Sequence, residues 1–103
     1  YGDGLQTRDF IHVSDTARAI ACALRATTPL AGTAVNIGTG RGGSVRDVIK
    51  LVCAAAGRTD IVATEADRRA GDPAFLCADI NLAKSAMGFT SQYSLEESVR
   101  SLF

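Results

Sequence analysis

The stretch from Ser44 to Gly57 limits the possible folds more than any other, because both ends of a helix are written into it. Ser44 with Asp47 three residues on resembles a capping box, with aspartate replacing the usual longer acid. Such a pair satisfies backbone N–H groups that the first turn of a helix leaves free. Val45, Val48, Ile49, Val52, Cys53 and Ala56 then recur at helical spacing as one apolar stripe, and Gly57 stands where a left-handed C-cap residue is expected. Ahead of the helix lie a short apolar run, Thr33–Ile37, and the glycine-rich Gly38-Thr39-Gly40-Arg41-Gly42-Gly43. A strand entering a helix through a glycine loop is the building unit of an α/β chain.

The rest of the chain repeats the alternation. Thr7–Val13 reads as a short strand, and Ser14 or Asp15 can cap the helix that follows. Ala17, Ile20, Ala21 and Leu24 mark that helix's apolar stripe, which ends near Ala26 and is closed by Thr27-Thr28-Pro29-Leu30-Ala31-Gly32. Asp60–Thr64 is expected as a third strand and Ala74–Ala78 as another extended run. Asp79 is placed to cap a short helix through Met87 with Gly88 at its end. Ser94-Leu95-Glu96-Glu97 is a full capping box opening a last helix to Phe103. The expected fold class is α/β, with short strands alternating with helices.

At 103 residues the chain is one domain at most. Eleven basic and eleven acidic residues cancel, so no overall field argues for nucleic acid or a membrane surface. No apolar run approaches a membrane span, and no charged start leads into an apolar stretch as in a secretory leader. Cys22, Cys53 and Cys77 fit neither a zinc site nor a redox pair, and they read as buried reduced thiols of a cytoplasmic protein. No metal site is expected. Tyr1-Gly2-Asp3-Gly4 is turn material with no initiator methionine, so the chain reads as a piece of something longer.

Several stretches carry chemistry, each with a plainer alternative. The glycine loop has the spacing of a phosphate cradle. However, no acid ends a second strand about 20 residues on, as a dinucleotide site requires, and Glu65 is the nearest. It reads as a strand-to-helix connection. His12 is the only histidine and lacks the partners of a triad, so it reads as a hydrogen-bonding group at a strand end; Asp9 and Asp15 read as anchors of local backbone. In Arg68-Arg69-Ala70-Gly71-Asp72-Pro73-Ala74, two arginines beside a turn could clamp an anion, or form a solvated basic loop with an internal ion pair. Arg8 precedes the apolar Phe10-Ile11 and needs a partner or a ligand; Arg8, Arg69 and Asp72 could converge.

Three stretches together resemble the C-terminal half of the extended short-chain dehydrogenases/reductases of the NAD-dependent epimerase/dehydratase family, most of all the UDP-glucose 4-epimerases. They are Tyr1-Gly2-Asp3-Gly4-Leu5-Gln6-Thr7-Arg8-Asp9-Phe10-Ile11-His12-Val13-Ser14-Asp15, then Asn36-Ile37-Gly38-Thr39-Gly40 with Ser44-Val45, then Arg69-Ala70-Gly71-Asp72-Pro73-Ala74 with Ala78-Asp79 and Met87-Gly88-Phe89. They fall in the family's order and cover nearly the whole chain. The resemblance implies that residues 1–103 are the substrate-binding C-terminal part of an extended Rossmann-type nucleotide-sugar enzyme, without its N-terminal dinucleotide-binding part. It implies a UDP-sugar as partner, with Arg8 and Arg69 on the substrate diphosphate, Asp72 on the nucleotide ribose and Tyr1 beside the uracil. The parent enzyme would use NAD and a Tyr-x-x-x-Lys pair to move a hydride at C4, interconverting UDP-glucose and UDP-galactose. Tyr1 and Tyr93 have no lysine four residues later, so no catalytic residue and no NAD binding are expected on this chain. Two other readings stay open: a free-standing, non-catalytic nucleotide-sugar-binding module, and the same region of a nucleotide-sugar dehydratase. Apolar faces that would pack on a missing lobe, the Val45–Ala56 stripe among them, invite self-association.

Overall fold

The computed structural model describes residues 1–27 and 29–103. Four helices carry most of the regular structure: α1 (Val13–Arg25), α2 (Val45–Ala56), α3 (Asn81–Met87) and α4 (Leu95–Arg100). Two strands of two residues each, β1 (Thr7–Arg8) and β2 (Gly43–Ser44), pair antiparallel with Thr7 opposite Ser44 and Arg8 opposite Gly43. Helix α2 packs on α4, and α1 on α3.

The chain forms a thin slab of 51 × 32 × 15 Å. Its radius of gyration is 16.2 Å, against about 13 Å for an ordinary domain of this length. A slab 15 Å deep has little room for an interior, because one helix with its side chains already takes about 10–12 Å. The buried apolar side chains are accordingly few: Ala19, Ala83, Phe89 and Val99. Ala19, Ala83 and Phe89 touch one another, with Ile11, Cys22, Val35, Ile37 and Met87 against them.

Helix α2 forms as its sequence dictates. Ser44 and Asp47 exchange both capping-box bonds at 3.0 Å, and Gly57 closes the helix at φ 66°. Ser94 and Glu97 do the same for α4, although that helix ends at Arg100 rather than Phe103. Helix α3 starts one residue later than an Asp79 cap would place it: Ile80 is the N-cap, while Asp79 accepts from the Asn81 N–H at 3.0 Å. For α1 the cap is His12, whose Nδ1 accepts from the Ser14 N–H at 3.0 Å, instead of Ser14 or Asp15. The Asp15 carboxylate is unavailable for capping because it is engaged 77 residues away. The expected closing turn spans 27–32, of which Thr28 lies outside the described residues.

The face that α1 buries differs from the one its apolar stripe suggests. Asp15 and Ala19 are buried, whereas Val13, Ile20 and Leu24 are 77%, 61% and 84% exposed. Small Ala19 lets α1 approach Ala83 and Phe89 closely, and Asp15 brings its own hydrogen-bond partners. One exposed apolar face of the slab therefore lies on α1, while the α2 stripe is partly covered by α4.

Two expected strands do not form. Thr33–Ile37 and Asp60–Thr64 run without a ladder, since extended backbone is held as a strand only by a neighbouring edge and none of the described residues supplies one. Ala74–Ala78 reduces to a parallel bridge between Phe75 and Thr7. The three cysteines are free and half-buried rather than fully buried. Burial and the neighbouring Asp9 carboxylate raise the Cys77 thiol above its ordinary range. Among the described residues no helix is long and apolar enough to cross a membrane.

Candidate functional site

Strand β1 and the arginine turn meet edge to edge. The Thr7 N–H donates to the Ala74 carbonyl at 2.9 Å and the Leu76 N–H to the Thr7 carbonyl at 3.0 Å. This bridge sets Arg8, the next residue of β1, beside the turn. Gly71 at φ 78° lets the backbone reverse there, and the Asp72 N–H reaches the Arg69 carbonyl at 3.3 Å. Asp72 then accepts from Arg8 Nη2, while Arg8 Nη1 donates to the Thr7 carbonyl at 2.7 Å.

The opening turn of the chain folds over the same place. The Gly2 N–H donates to the Ala66 carbonyl at 2.7 Å, and Gln6 Nε2 to the Tyr1 carbonyl at 3.1 Å. Tyr1 lies against Arg69, whose guanidinium carbon stands 3.9 Å from the ring centroid. The Arg69 guanidinium beside it lowers the Tyr1 phenol from its usual range, and Arg69 is raised in return. Arg46 fastens the far side, with Nε on the Asp3 carbonyl and Nη2 on Glu65 at 2.5 Å.

All four residues singled out in the sequence thus fall in one neighbourhood as two pairs, Arg8 with Asp72 and Tyr1 with Arg69. Tyr1 and Asp72 line the same small cavity, about 120 Å³, with Gln6 and Ala74. Arg68, itself exposed to solvent, also lines it. Gln6 and Arg46, which tie the opening turn down, carry no local pattern that would have marked them. A larger opening of about 570 Å³ lies between the glycine loop and α4. It contains none of the four, and its Ser94 and Glu97 are committed to capping α4.

The glycine loop is not an anion cradle. The Thr39 N–H, the Thr39 hydroxyl and the Gly40 N–H all donate to the Asp9 carboxylate, at 2.9, 2.6 and 3.0 Å, and the Ala78 N–H joins them at 3.2 Å. A Cβ on Gly38 would stand 2.6 Å from that of Ala78, so glycine is needed there for close approach of backbone. The Thr39 and Gly40 donors are thus spent on an internal carboxylate, and the α2 start is capped by Ser44. The glycine loop therefore does not offer those donors to the pyrophosphate of NAD. No group of His, Cys, Asp and Glu among the described residues could hold a metal ion.

Asp9 and Asp15 do anchor backbone, but of remote segments rather than local ones. Asp15 accepts from the Gln92 and Tyr93 N–H groups and from Arg18. His12 is hydrogen-bonded as expected, but as the N-cap of α1 rather than at a strand end, because β1 stops at Arg8. Its Nε2 lies 3.1 Å from the Ser101 hydroxyl and its ring stacks on Tyr93 at 4.2 Å.

Known proteins place this geometry in context. Residues 1–102 match the family of GDP-mannose 4,6 dehydratase. A UDP-glucose 4-epimerase of Neisseria meningitidis serogroup C is 41% identical over 96 residues, covering 92% of this chain and 28% of that protein. The UDP-glucose 4-epimerase of Thermotoga maritima, solved with UDP-glucose, superimposes with a TM-score of 0.87 at 33% identity, over 97% of this chain and 31% of its own. That of Bifidobacterium longum, solved with NAD+ and UDP, gives 0.84 at 33% identity, over 98% and 30%. The chain thus spans less than a third of the length of these relatives, and its fold matches part of these Rossmann-type epimerases. By its match over nearly all of its length, the chain belongs to the GDP-mannose 4,6 dehydratase family, within the extended short-chain epimerases and dehydratases.

Proposed function

We propose that residues 1–103 form the substrate-binding region of a UDP-hexose 4-epimerase. In this reading Arg8 and Arg69 take the diphosphate, Asp72 accepts from a ribose hydroxyl, and Tyr1 lies beside the uracil. The observation that carries it is the convergence of Arg8, Asp72, Arg69 and Tyr1 around one turn, from positions up to 71 residues apart in sequence. Paired guanidiniums present the forked donors that suit adjacent phosphate oxygens. Relatives solved with UDP-glucose and with UDP support the ligand class. The whole protein would interconvert UDP-glucose and UDP-galactose, with NAD carrying the C4 hydride on residues outside these 103.

Calorimetric titration with UDP tests the reading. Micromolar binding is expected, and Arg69→Ala should weaken it about tenfold or more, the loss of a charge-assisted bond. Equal affinity in the variant would remove Arg69 from the site. No turnover of UDP-glucose is expected from this chain with NAD; measurable epimerisation would sink the proposal.

The match to the GDP-mannose 4,6 dehydratase family favours a second reading, the same region of a dehydratase. Competition between GDP and UDP separates the two. Self-association is also proposed, through Val13, Ile20 and Leu24 on α1. Light scattering should show mass rising with concentration in the wild type, and a monomer for Leu24→Glu; a wild-type monomer throughout would exclude it.

A further inference from the structure

The two arginines of the site are in different states. Arg69 is exposed, stacked on Tyr1, and forms no ion pair with a carboxylate among the described residues. Arg8 holds Asp72, and both side chains of that pair are largely covered, at 25% and 27% exposure. The pairs Arg58–Asp60 and Arg100–Glu96 are more than half exposed and correspondingly screened. Asp72 therefore occupies Arg8 Nη2, and the Thr7 carbonyl occupies Nη1, so a phosphate reaches the Arg8 fork only by displacing one of them.

We propose that the Arg8–Asp72 pair is a latch that selects nucleoside diphosphates over free pyrophosphate; this rests on the substrate-site reading above. An incoming diphosphate first meets Arg69, and Arg8 joins by exchanging the Asp72 carboxylate for a phosphate oxygen. The released carboxylate then faces the cavity it shares with Tyr1. A nucleoside diphosphate brings a ribose hydroxyl that donates to this carboxylate, so the broken pair is replaced on both sides. Pyrophosphate brings no hydroxyl and leaves Asp72 facing an added anion without a partner. The same aspartate thus acts as a ligand toward the nucleotide and as a competitor toward the bare anion.

Titrations of the 103-residue chain with UDP and with inorganic pyrophosphate test the latch. In Asp72→Asn, pyrophosphate is expected to bind about threefold tighter or better, the scale of a partly screened ion pair. UDP should bind more weakly, so that the preference for UDP falls about tenfold. Asp3→Asn is the control for general charge, since Asp3 lines the same cavity without touching Arg8. Asp72→Ser guards against a local effect of the amide, and circular dichroism checks that each variant is folded. The latch is overturned if pyrophosphate affinity is unchanged or lower in both Asp72 variants, if Asp3→Asn raises it equally, or if no protein binds pyrophosphate. The site reading fails separately, when UDP affinity is indifferent to Arg69→Ala. Sensitivity to Arg69→Ala without tightening of pyrophosphate in Asp72→Asn leaves the site standing and removes the latch.

Discussion

Asp15→Ala is expected to destabilise the fold by about 3–5 kcal/mol, the range for breaking a buried charge pair. This is a large share of the total stability of a small domain. The Asp15 side chain is fully buried beneath α1. Its two oxygens accept the Gln92 N–H at 3.1 and 3.0 Å, the Tyr93 N–H at 3.1 Å and Arg18 Nη2 at 3.0 Å. Alanine leaves two backbone donors without acceptors and releases Arg18, which also donates to the Thr90 carbonyl and lies 4.8 Å over the Phe89 ring. The damage therefore reaches the one cluster that serves as a core. Asp15→Asn keeps one acceptor and the shape, and should lose about half as much. Urea unfolding followed by circular dichroism measures both. A loss below about 1 kcal/mol for Asp15→Ala would mean that these bonds are made to water in solution.

The same residue shows where the sequence was readable and where it was not. Helix α2 was legible because everything that defines it is local: Ser44 and Asp47 are three residues apart, and Gly57 ends the apolar repeat. The extent of α1 was nearly legible too, but its buried face was not. Ile20 and Leu24 are the larger apolar groups, yet burial went to Asp15 and Ala19, whose partners lie in α3 and residues 89–93. Periodicity reports which residues share a face; it does not report which face finds a partner. Thr33–Ile37 and Asp60–Thr64 failed as strands for a related reason, since a strand exists only through its neighbour. Conversely, Gly43–Ser44 pairs with β1 although nothing in a glycine and a serine marks a strand. The proposed clamp was legible in part. The types and turn chemistry of Arg69, Gly71 and Asp72 suggested an anion site that Arg8, a charge entering an apolar run, could join, but only the resemblance tied Tyr1 to them. Their meeting depends on the Thr7–Phe75 bridge, which no local pattern announces.

Asp9→Ala should be the other severe substitution, at about 2–4 kcal/mol, because four donors from two distant segments converge on its half-buried carboxylate. It also carries a pH signature. Burial alone pushes the Asp9 carboxyl up, but the Thr39 hydroxyl and the N–H groups of Thr39, Gly40 and Ala78 outweigh it, so it lies below its ordinary value. Asp15 behaves alike: burial pushes up, and Arg18, Tyr93 and Gln92 together pull further down. A carboxyl lowered in the folded state binds its proton more readily in the unfolded chain. Its contribution is therefore fully present above the ordinary value of 3.8 and drains away as pH falls through the lowered one. Urea midpoints measured at a series of acid pH values should hold steady above that value and drop steeply below it. Asp9→Asn should be less stable at neutral pH and show a shallower acid slope, and Asp9→Asn with Asp15→Asn a shallower one still. An unchanged slope in the double variant would assign acid unfolding to other carboxylates. Because Asp9 follows Arg8 directly and pins β1 to the glycine loop and to Ala78, the same loss should loosen the strand that presents Arg8. UDP affinity should then fall in Asp9→Asn even where the chain is still folded, through a residue that touches no ligand.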